Sequence, residues 1–377
     1  MTQHCDAAVV GAGILGLAHA YHLARRGLRV VVFERHPRCQ GASVRNFGML
    51  WPVGQSAGSM YRLARRSLEI WGEILCDSGL WHQLTGSLHL AYHEDEAQVL
   101  REFVAMIGWV ERGCEFLTPR QIIQQFPAAR PDGLLAGMWS PVETCVDPRE
   151  VVAALPEWLS RVHGVQFQFG VPVVGYEKPT VWTPTGTWRA DRLVVCSGDE
   201  LQTLFPEQFA ALELERCKLQ MMRTAPVASG WRLGPMLAGG LTLRHYAAFA
   251  GCPTLFALQR RLIAEMPDYV RYGIHVMAAQ NGRGELVLGD SHEDGGHIDI
   301  FDKPVIDDLV LAYLRTFLAA PDFRIAARWH GTYVKHANWS WRYVSPVEGV
   351  TLVTAVGGAG MTLSFGVAEQ VVAELLR

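Results

Sequence analysis

The chain has 377 residues, of which 49% are hydrophobic, and a formal net charge of −3. It can bury one large core or two, and it exceeds the roughly 150 residues of a typical domain, so two domains are expected. The near-neutral balance excludes a protein governed by broad electrostatic attraction to nucleic acid or to an anionic membrane.

Near the N-terminus, Ala7-Ala8-Val9-Val10 has the pattern of a buried strand and runs directly into Gly11-Ala12-Gly13-Ile14-Leu15-Gly16, followed by a helical stretch. Strand, glycines and helix in that order form the dinucleotide-binding fingerprint. Gly11 permits the sharp turn, Gly13 lets the backbone approach a pyrophosphate, and Gly16 lets the helix pack closely on the sheet. The helix start, with Ile14 and Leu15, offers unpaired N–H groups to phosphate. A second apolar strand, Val30–Phe33, ends in Glu34 and Arg35, with Glu34 18 positions beyond Gly16. An acid at about that distance accepts hydrogen bonds from a ribose diol and repels a 2′-phosphate, which favours FAD or NAD over NADP.

The following segment, Gly41–Leu50, is too glycine-rich for a regular helix and has the pattern of a loop. Helical periodicity covers about 61–77, and Ser87–Tyr92 alternates like a strand outside the nucleotide sheet. Asp147 is a natural N-cap with Pro148 at the first helical position, predicting a helix to about Val162. Val165–Phe169 and Val171–Tyr176 are predicted strands, Thr185-Gly186 a hairpin turn, and Arg192–Cys196 an apolar strand ending at Ser197-Gly198. Beyond 215, Leu286–Asp290 is the clearest strand, with amphipathic helices near 255–270 and 305–318. A last apolar strand, Val350–Ala355, leads into Gly357-Gly358-Ala359-Gly360-Met361-Thr362 and a terminal helix. Two glycine-rich strand-to-helix turns this far apart suit a chain that returns to wrap the far end of a long cofactor such as FAD.

Across nearly its whole length the chain resembles the FAD-dependent oxidoreductases that include D-amino acid oxidase, glycine oxidase and monomeric sarcosine oxidase. The resemblance rests on GAGILG with Glu34, the loop GASVRNFGML, the VDP before a helix, the Val-Val-Cys-Ser-Gly strand end, Leu288-Gly289-Asp290, and GGAGMTLS. It implies an α/β Rossmann-like FAD-binding domain, discontinuous over 1–80, 145–214 and 326–377. An interleaved α+β substrate domain with a mixed or antiparallel sheet would occupy 81–144 and 215–325. It further implies that Ser43, Arg45, Asn46, Gly48 and Met49 contact pyrophosphate and flavin, that Val173 meets adenine, and that Ser197 and Gly198 close the nucleotide site. Gly358, Gly360, Met361 and Thr362 would meet the pyrimidine edge of the flavin. The implied chemistry is oxidation of a carbon–nitrogen bond, with hydride passing to the flavin and O2, or another acceptor, reoxidising it.

Departures from the family pattern bear on substrate. Where amino acid oxidases carry a carboxylate-binding arginine, this chain has Trp329-His330-Gly331-Thr332-Tyr333-Val334-Lys335-His336. No cysteine lies beyond Cys252, so the FAD is expected to be noncovalent, and the oxygen-activating lysine of sarcosine oxidases falls near Val287. Arg244, His245, Tyr246, Tyr333, Lys335 and His336, with Arg342 nearby, offer several donors suited to a dianionic head group. With Lys218-Leu219-Gln220-Met221, this resembles a branch associated with phosphonate breakdown, whose substrate would be N-methyl-2-aminoethylphosphonate. A glycine/sarcosine-type or D-amino acid oxidase is the alternative, and a flavin-binding redox sensor is the alternative of another class.

No metal is expected. The pairs His19/His22, His89/His93 and His292/His297 each lack a third ligand, and Trp51, Trp339 and Trp341 are assigned to packing rather than to a cation-binding cage. The eight cysteines form no CxxC pair, which suits reduced thiols. The N-terminus has no basic region ahead of an apolar segment, and no uninterrupted apolar run reaches about 20 residues. A soluble cytoplasmic protein, binding a small amine and no nucleic acid or membrane, is expected.

Overall fold

A computed structural model describes residues 3–228, 230–295 and 298–377. Its first sheet has 8 strands. The strand Gln3–Val10 lies at its centre, parallel to Val30–Glu34 on one side and to Gly186–Val195 on the other. Gln166–Phe169 extends the sheet beyond Val30–Glu34, and Val350–Thr354 extends it beyond Gly186–Val195, both parallel. Toward their carboxyl ends the central strands are continuously apolar, as strands covered on both faces must be: Ala7–Val10, Val30–Phe33 and Leu193–Val195. Their order reverses at Gln3–Val10, so the crevice at the carboxyl ends opens beside Gly11.

One face is covered by the helices Ile14–Arg25, Ser59–Ser78, Pro148–His163 and Gly360–Leu375. The second helix shows how the pattern decides: Ile70, Trp71, Ile74 and Leu75 recur at helical spacing and are buried, and Gly79 ends the helix in the left-handed region at φ 67°. Asp147 caps Pro148–His163 by accepting from the Arg149 N–H at 3.0 Å. The other face is closed by the meander Gly175–Glu177, Thr180–Thr183, Gly186–Val195 and by Pro206–Ala210.

The second sheet has 9 strands and is mixed: mostly antiparallel, with Met236–Ala238 parallel to Ser87–Ala91. It encloses the largest apolar core, which the helices Glu94–Phe103, Leu255–Glu265 and Pro304–Phe317 help to close. The small 3-stranded sheet Met49–Leu50, Thr144–Val146, His82–Leu84 lies beside it. Among the described residues no helix is long and apolar enough to cross a membrane.

Several expectations shift. The strand Ile325–Lys335, grouped from the sequence largely with the nucleotide segments, pairs instead along Glu215–Pro226 in the second sheet. Its polar and apolar residues alternate, which suits a sheet with one wet face rather than a parallel core. Val171–Tyr176 is mostly irregular, since Pro172 has no N–H to give a ladder, and only Gly175–Glu177 is a strand. The hairpin turns at Pro184-Thr185, one residue before the expected position. The helix near 255–270 breaks at Pro267, which starts a new helix, Pro267–Arg271.

Candidate functional site

A cavity of about 1580 Å³ begins at the carboxyl ends of the first sheet and continues to the face of the second. It exceeds the roughly 300–1,000 Å³ of most small-molecule clefts, as a site for a long cofactor plus a substrate must. At its first end Gly11 has φ 98°, and a Cβ there would stand 2.4 Å from the Cys196 carbonyl oxygen. Gly16 does not line the cavity; its Cβ would lie 1.9 Å from the Gly11 carbonyl oxygen, so it serves helix–strand packing. Ser43 Oγ accepts from the Ile14 N–H at 2.9 Å and holds the 41–50 loop over the helix start.

Glu34 is buried at the end of its strand. Its Oε2 accepts from the Ala12 N–H and its Oε1 from the His36 N–H, each at 3.0 Å. Each carboxylate oxygen keeps a further acceptor position for a ribose hydroxyl. Leu15, Arg35, Val173, Ser197 and Gly198 line the same end, with Arg35 donating to Thr203 Oγ1. These groups fit an adenosine diphosphate moiety.

In the 41–50 loop, Arg45, Asn46 and Met49 line the cavity. The Asn46 side chain is engaged within the loop, donating to the carbonyls of Ala42 and Ser43 and accepting from the Gly48 N–H. Gly48 stands behind the wall at φ 75°, where a Cβ would approach the Val146 carbonyl oxygen to 2.0 Å. Arg45 donates to the His330 carbonyl, tying the loop to the second sheet.

Opposite runs the C-terminal segment Ala355–Thr362. Ala355 (φ 62°) and Gly357 (φ 55°) carry the left-handed backbone, a local strain of the kind found at ligand sites. Gly358 and Gly360 do not need glycine for their backbone angles: a Cβ at Gly360 meets Val356 at an ordinary 3.5 Å, and one at Gly358 meets the Tyr333 hydroxyl at 3.4 Å. Thr362 Oγ1 accepts from the Trp51 N–H at 2.9 Å, and the Met361 carbonyl accepts from Trp71 Nε1 at 2.8 Å. Trp51 Nε1, buried and on the cavity wall, has no partner among the described residues.

At the substrate-domain end, Arg244, His245, Tyr246, Tyr333 and Lys335 line the cavity as expected. Arg244 has no carboxylate partner among the described residues, whereas Lys335 Nζ is paired with Asp294 at 2.7 Å. Tyr246 donates weakly to Met277 Sδ at 3.2 Å. Burial pushes the Tyr246 and Tyr333 hydroxyls well above the usual range, so both stay protonated donors. His336 also lines the cavity as expected, from the turn that follows the strand, stacked on Trp339 with ring centroids 3.6 Å apart. Lys218, instead of reaching the cavity, donates to the carbonyls of Asp299 and Phe301 and pairs with Asp302; its neighbours Leu219 and Met221 do line the wall.

The sequence reasoning singled out His245 but missed the two histidines packed against it. His245, His275 and His292 form a cluster with ring centroids 3.9, 4.4 and 5.0 Å apart. His275 Nε2 approaches Asp290 Oδ1 to 3.0 Å, and His292 Nδ1 donates to the Gly273 carbonyl at 3.3 Å. His245 is exposed along the cavity wall; the protein packed around its ring, then His275, His292, Lys335 and Arg244, push it well below the ordinary histidine range. Burial also lowers His292. The signal available in the sequence was polar residues flanking apolar strands: His275 just before Met277–Gln280, and Asp290 and His292 just after Glu285–Gly289.

The other histidine pairs have packing roles. His19 and His22 donate to the carbonyls of Leu15 and Phe365, and burial lowers both to about 4. His89 is buried against Trp51 and Phe249, and His297 lies outside the described residues.

Comparison with known proteins agrees with this geometry. The family model for FAD dependent oxidoreductases (DAO) matches residues 6–375. Rat mitochondrial dimethylglycine dehydrogenase is 25% identical over 204 residues, 52% of this chain and 24% of that protein. Glycine oxidase of Geobacillus kaustophilus is 27% identical over 215 residues, 52% of this chain and 55% of that protein. The chain thus spans about a quarter of the first relative's length and about half of the second's. Among solved structures, L-proline dehydrogenase from P. horikoshii superposes with a TM-score of 0.79 at 20% identity, covering 100% of this chain and 94% of that one.

Proposed function

The chain belongs to the DAO family of FAD dependent oxidoreductases, and from that premise we propose that it oxidises the carbon–nitrogen bond of a small anionic secondary amine. The substrate we infer is N-methyl-2-aminoethylphosphonate. A hydride equivalent leaves the carbon between the amine and the phosphonate-bearing methylene, the amine nitrogen loses a proton, and the resulting imine adds water to give phosphonoacetaldehyde and methylamine. FAD, when bound, would supply the two-electron acceptor, with O2 or another acceptor as the final oxidant.

The residues of the chain bind and orient. Glu34 and the Gly11–Gly16 turn hold the nucleotide end, while Arg45, Met49 and the 357–362 segment flank the position of the ring. Arg244 supplies an uncompensated positive charge to the substrate side, and Tyr246 and Tyr333 supply neutral donors. A phosphonate presents three oxygens to such donors, where a single carboxylate presents two. The observation that carries this reading is Arg244, lining the cavity beside a histidine cluster and free of any carboxylate among the described residues. The relatives named for dimethylglycine and glycine favour the second reading, a glycine/sarcosine-type oxidase.

Product analysis distinguishes them. The enzyme incubated with N-methyl-2-aminoethylphosphonate should release methylamine and phosphonoacetaldehyde in equal amounts. No methylamine from that substrate, with steady turnover of sarcosine or glycine, would establish the second reading instead.

A further inference from the structure

The histidine cluster has an arrangement that points past general anion attraction. One nitrogen from each of His245, His275 and His292 lies within 4.8 Å of the others, which raises the question of a metal centre. Three imidazoles on one tetrahedral ion, at metal–nitrogen distances of about 2.0–2.1 Å, hold their ring centroids about 5 Å apart. Here two of the three separations are 3.9 and 4.4 Å, with ring planes inclined by only 31° and 43°. The rings overlap face to face more than they converge on a point.

Imidazoles stacked this closely tolerate little charge of their own, because like charges at this spacing repel; His275 is buried and His292 half-buried, while His245 is exposed to the cavity and is the ring an entering ligand meets. The surrounding groups leave the trio short of compensation. On its own segment His245 is flanked by Arg244 and Tyr246; from the strand Ile325–Lys335 it faces Tyr333 and Lys335; from the segment after Glu285–Gly289 come Asp290, His292 and Asp294. Asp294 is taken by Lys335 at 2.7 Å. Asp290 reaches His275 at 3.0 Å, but its Oδ1 makes no aligned hydrogen bond. His275 is 3% exposed, and its Nδ1 is a buried polar atom with no partner among the described residues. The trio is therefore served by one carboxylate, Asp290, 3.0 Å from His275 Nε2 and 3.9 Å from His292 Nδ1, while His245, beside Arg244, has none among the described residues.

We propose that His245, His275 and His292, together with Arg244, form the pocket for the oxyanion head group of the substrate, and that the pocket takes up a proton from solvent when the anion enters. This rests on the anionic-amine reading above and deepens it. The proton adds to one ring nitrogen and no other bond changes; the arriving negative charge replaces the missing compensation and makes the imidazolium tolerable. Tyr333 links the pocket to the flavin side. Its ring centroid is 6.4 Å from that of His292, and its hydroxyl borders Gly358, so a head group on the trio leaves the amine end directed toward the C-terminal glycine segment.

The test uses the oxidised holoenzyme with two unreactive probes, ethylphosphonate and ethanesulfonate. Titration calorimetry near pH 7.5, in two phosphate-free buffers of different ionisation enthalpy, counts the protons taken up. Ethanesulfonate stays singly charged across this range, so a proton taken up with it belongs to the protein. The expected result is uptake approaching one proton with ethanesulfonate, and a Kd that rises by up to about tenfold per pH unit. His245→Gln and His292→Gln should each abolish the uptake and weaken binding at least about tenfold, with flavin content and visible spectrum unchanged as the check on folding.

Binding without proton uptake, unchanged affinity in both variants, or failure of either probe to bind would each overturn the proposal. Loss of binding after dialysis against EDTA would overturn it in favour of a metal centre. If uptake is seen but N-methyl-2-aminoethylphosphonate is not oxidised, the pocket stands and the substrate assignment falls. If that amine is oxidised without uptake, the reverse holds.

Discussion

Glu34→Gln is the sharpest perturbation of the nucleotide site, because it keeps the shape and removes the charge. In the wild-type protein one carboxylate oxygen accepts from the Ala12 N–H and the other from the His36 N–H, both at 3.0 Å. An amide offers a single acceptor oxygen, so one of these N–H groups faces an NH2 group instead. A buried donor left unsatisfied costs about 1–3 kcal/mol, which should appear as lost stability of the apoprotein. Bonds from the two ribose hydroxyls fall from charge-assisted, about 1.5–3 kcal/mol each, to neutral or absent, about 0.5–1.5 or less. The resulting loss is about 2–3 kcal/mol in FAD binding, a factor of roughly 30–150 in Kd. Stripping the flavin and titrating it back, with protein fluorescence quenching as the signal, measures that factor directly. A Kd within threefold of wild type would refute the placement of the ribose at Glu34.

Further outcomes follow from the packing. Asp147→Ala should lower unfolding free energy by about 3 kcal/mol in denaturant titration. It removes the cap on Arg149 N–H, the pairing with the Arg149 side chain and the bond from Asn281, in a network that reaches Glu285 and Arg223. A loss under 1 kcal/mol would show that the network contributes little. Stability should also fall as pH drops from about 6.5 toward 4. His19 and His22 are held neutral down to about 4 in the folded state, whereas the unfolded chain protonates them near 6.5, so below that the unfolded state binds more protons. Each should cost about 2 kcal/mol at pH 5, and a Tm that falls less steeply over that range in His19→Gln/His22→Gln than in wild type is the measurement, since His89, His245 and His292 keep part of the slope in both; equal slopes would refute the reasoning. Gly360→Val should fold with near-normal stability, since its Cβ has room and an ordinary helical angle, yet lose flavin; normal flavin content would mean that the segment is only a hinge.

Much of the nucleotide half was legible because its constraints are local. A glycine at φ 98° followed five residues on by one whose Cβ has no space leaves a mark in any sequence, and so does an acid closing an apolar strand. The capped helix at Asp147-Pro148 is equally local. The histidine pocket was not legible, since its members come from three segments joined only by the antiparallel pairing of Met277–Gln280 with Glu285–Gly289 and the turn after Gly240–Arg244. His275 and His292 carry no spacing signature, and pairing His292 with His297 by proximity in the chain pointed away from their true neighbours. Lys218 misled for the opposite reason. In the sequence it adjoins Leu219 and Met221 on the cavity wall, but strand alternation sends its side chain to the other face, where it pins the 299–302 segment.

The central claim is that an anionic secondary amine reduces the flavin of this protein. Anaerobic mixing of the holoenzyme with N-methyl-2-aminoethylphosphonate, sarcosine, glycine and a D-amino acid, followed by flavin bleaching in a stopped-flow instrument, tests it most directly. The phosphonate should bleach the flavin at least about tenfold more efficiently than any of the others, a difference of about 1.4 kcal/mol in transition-state binding. Faster bleaching by sarcosine, glycine or the D-amino acid would contradict the substrate assignment, and no bleaching by any amine would contradict the amine oxidoreductase account as a whole.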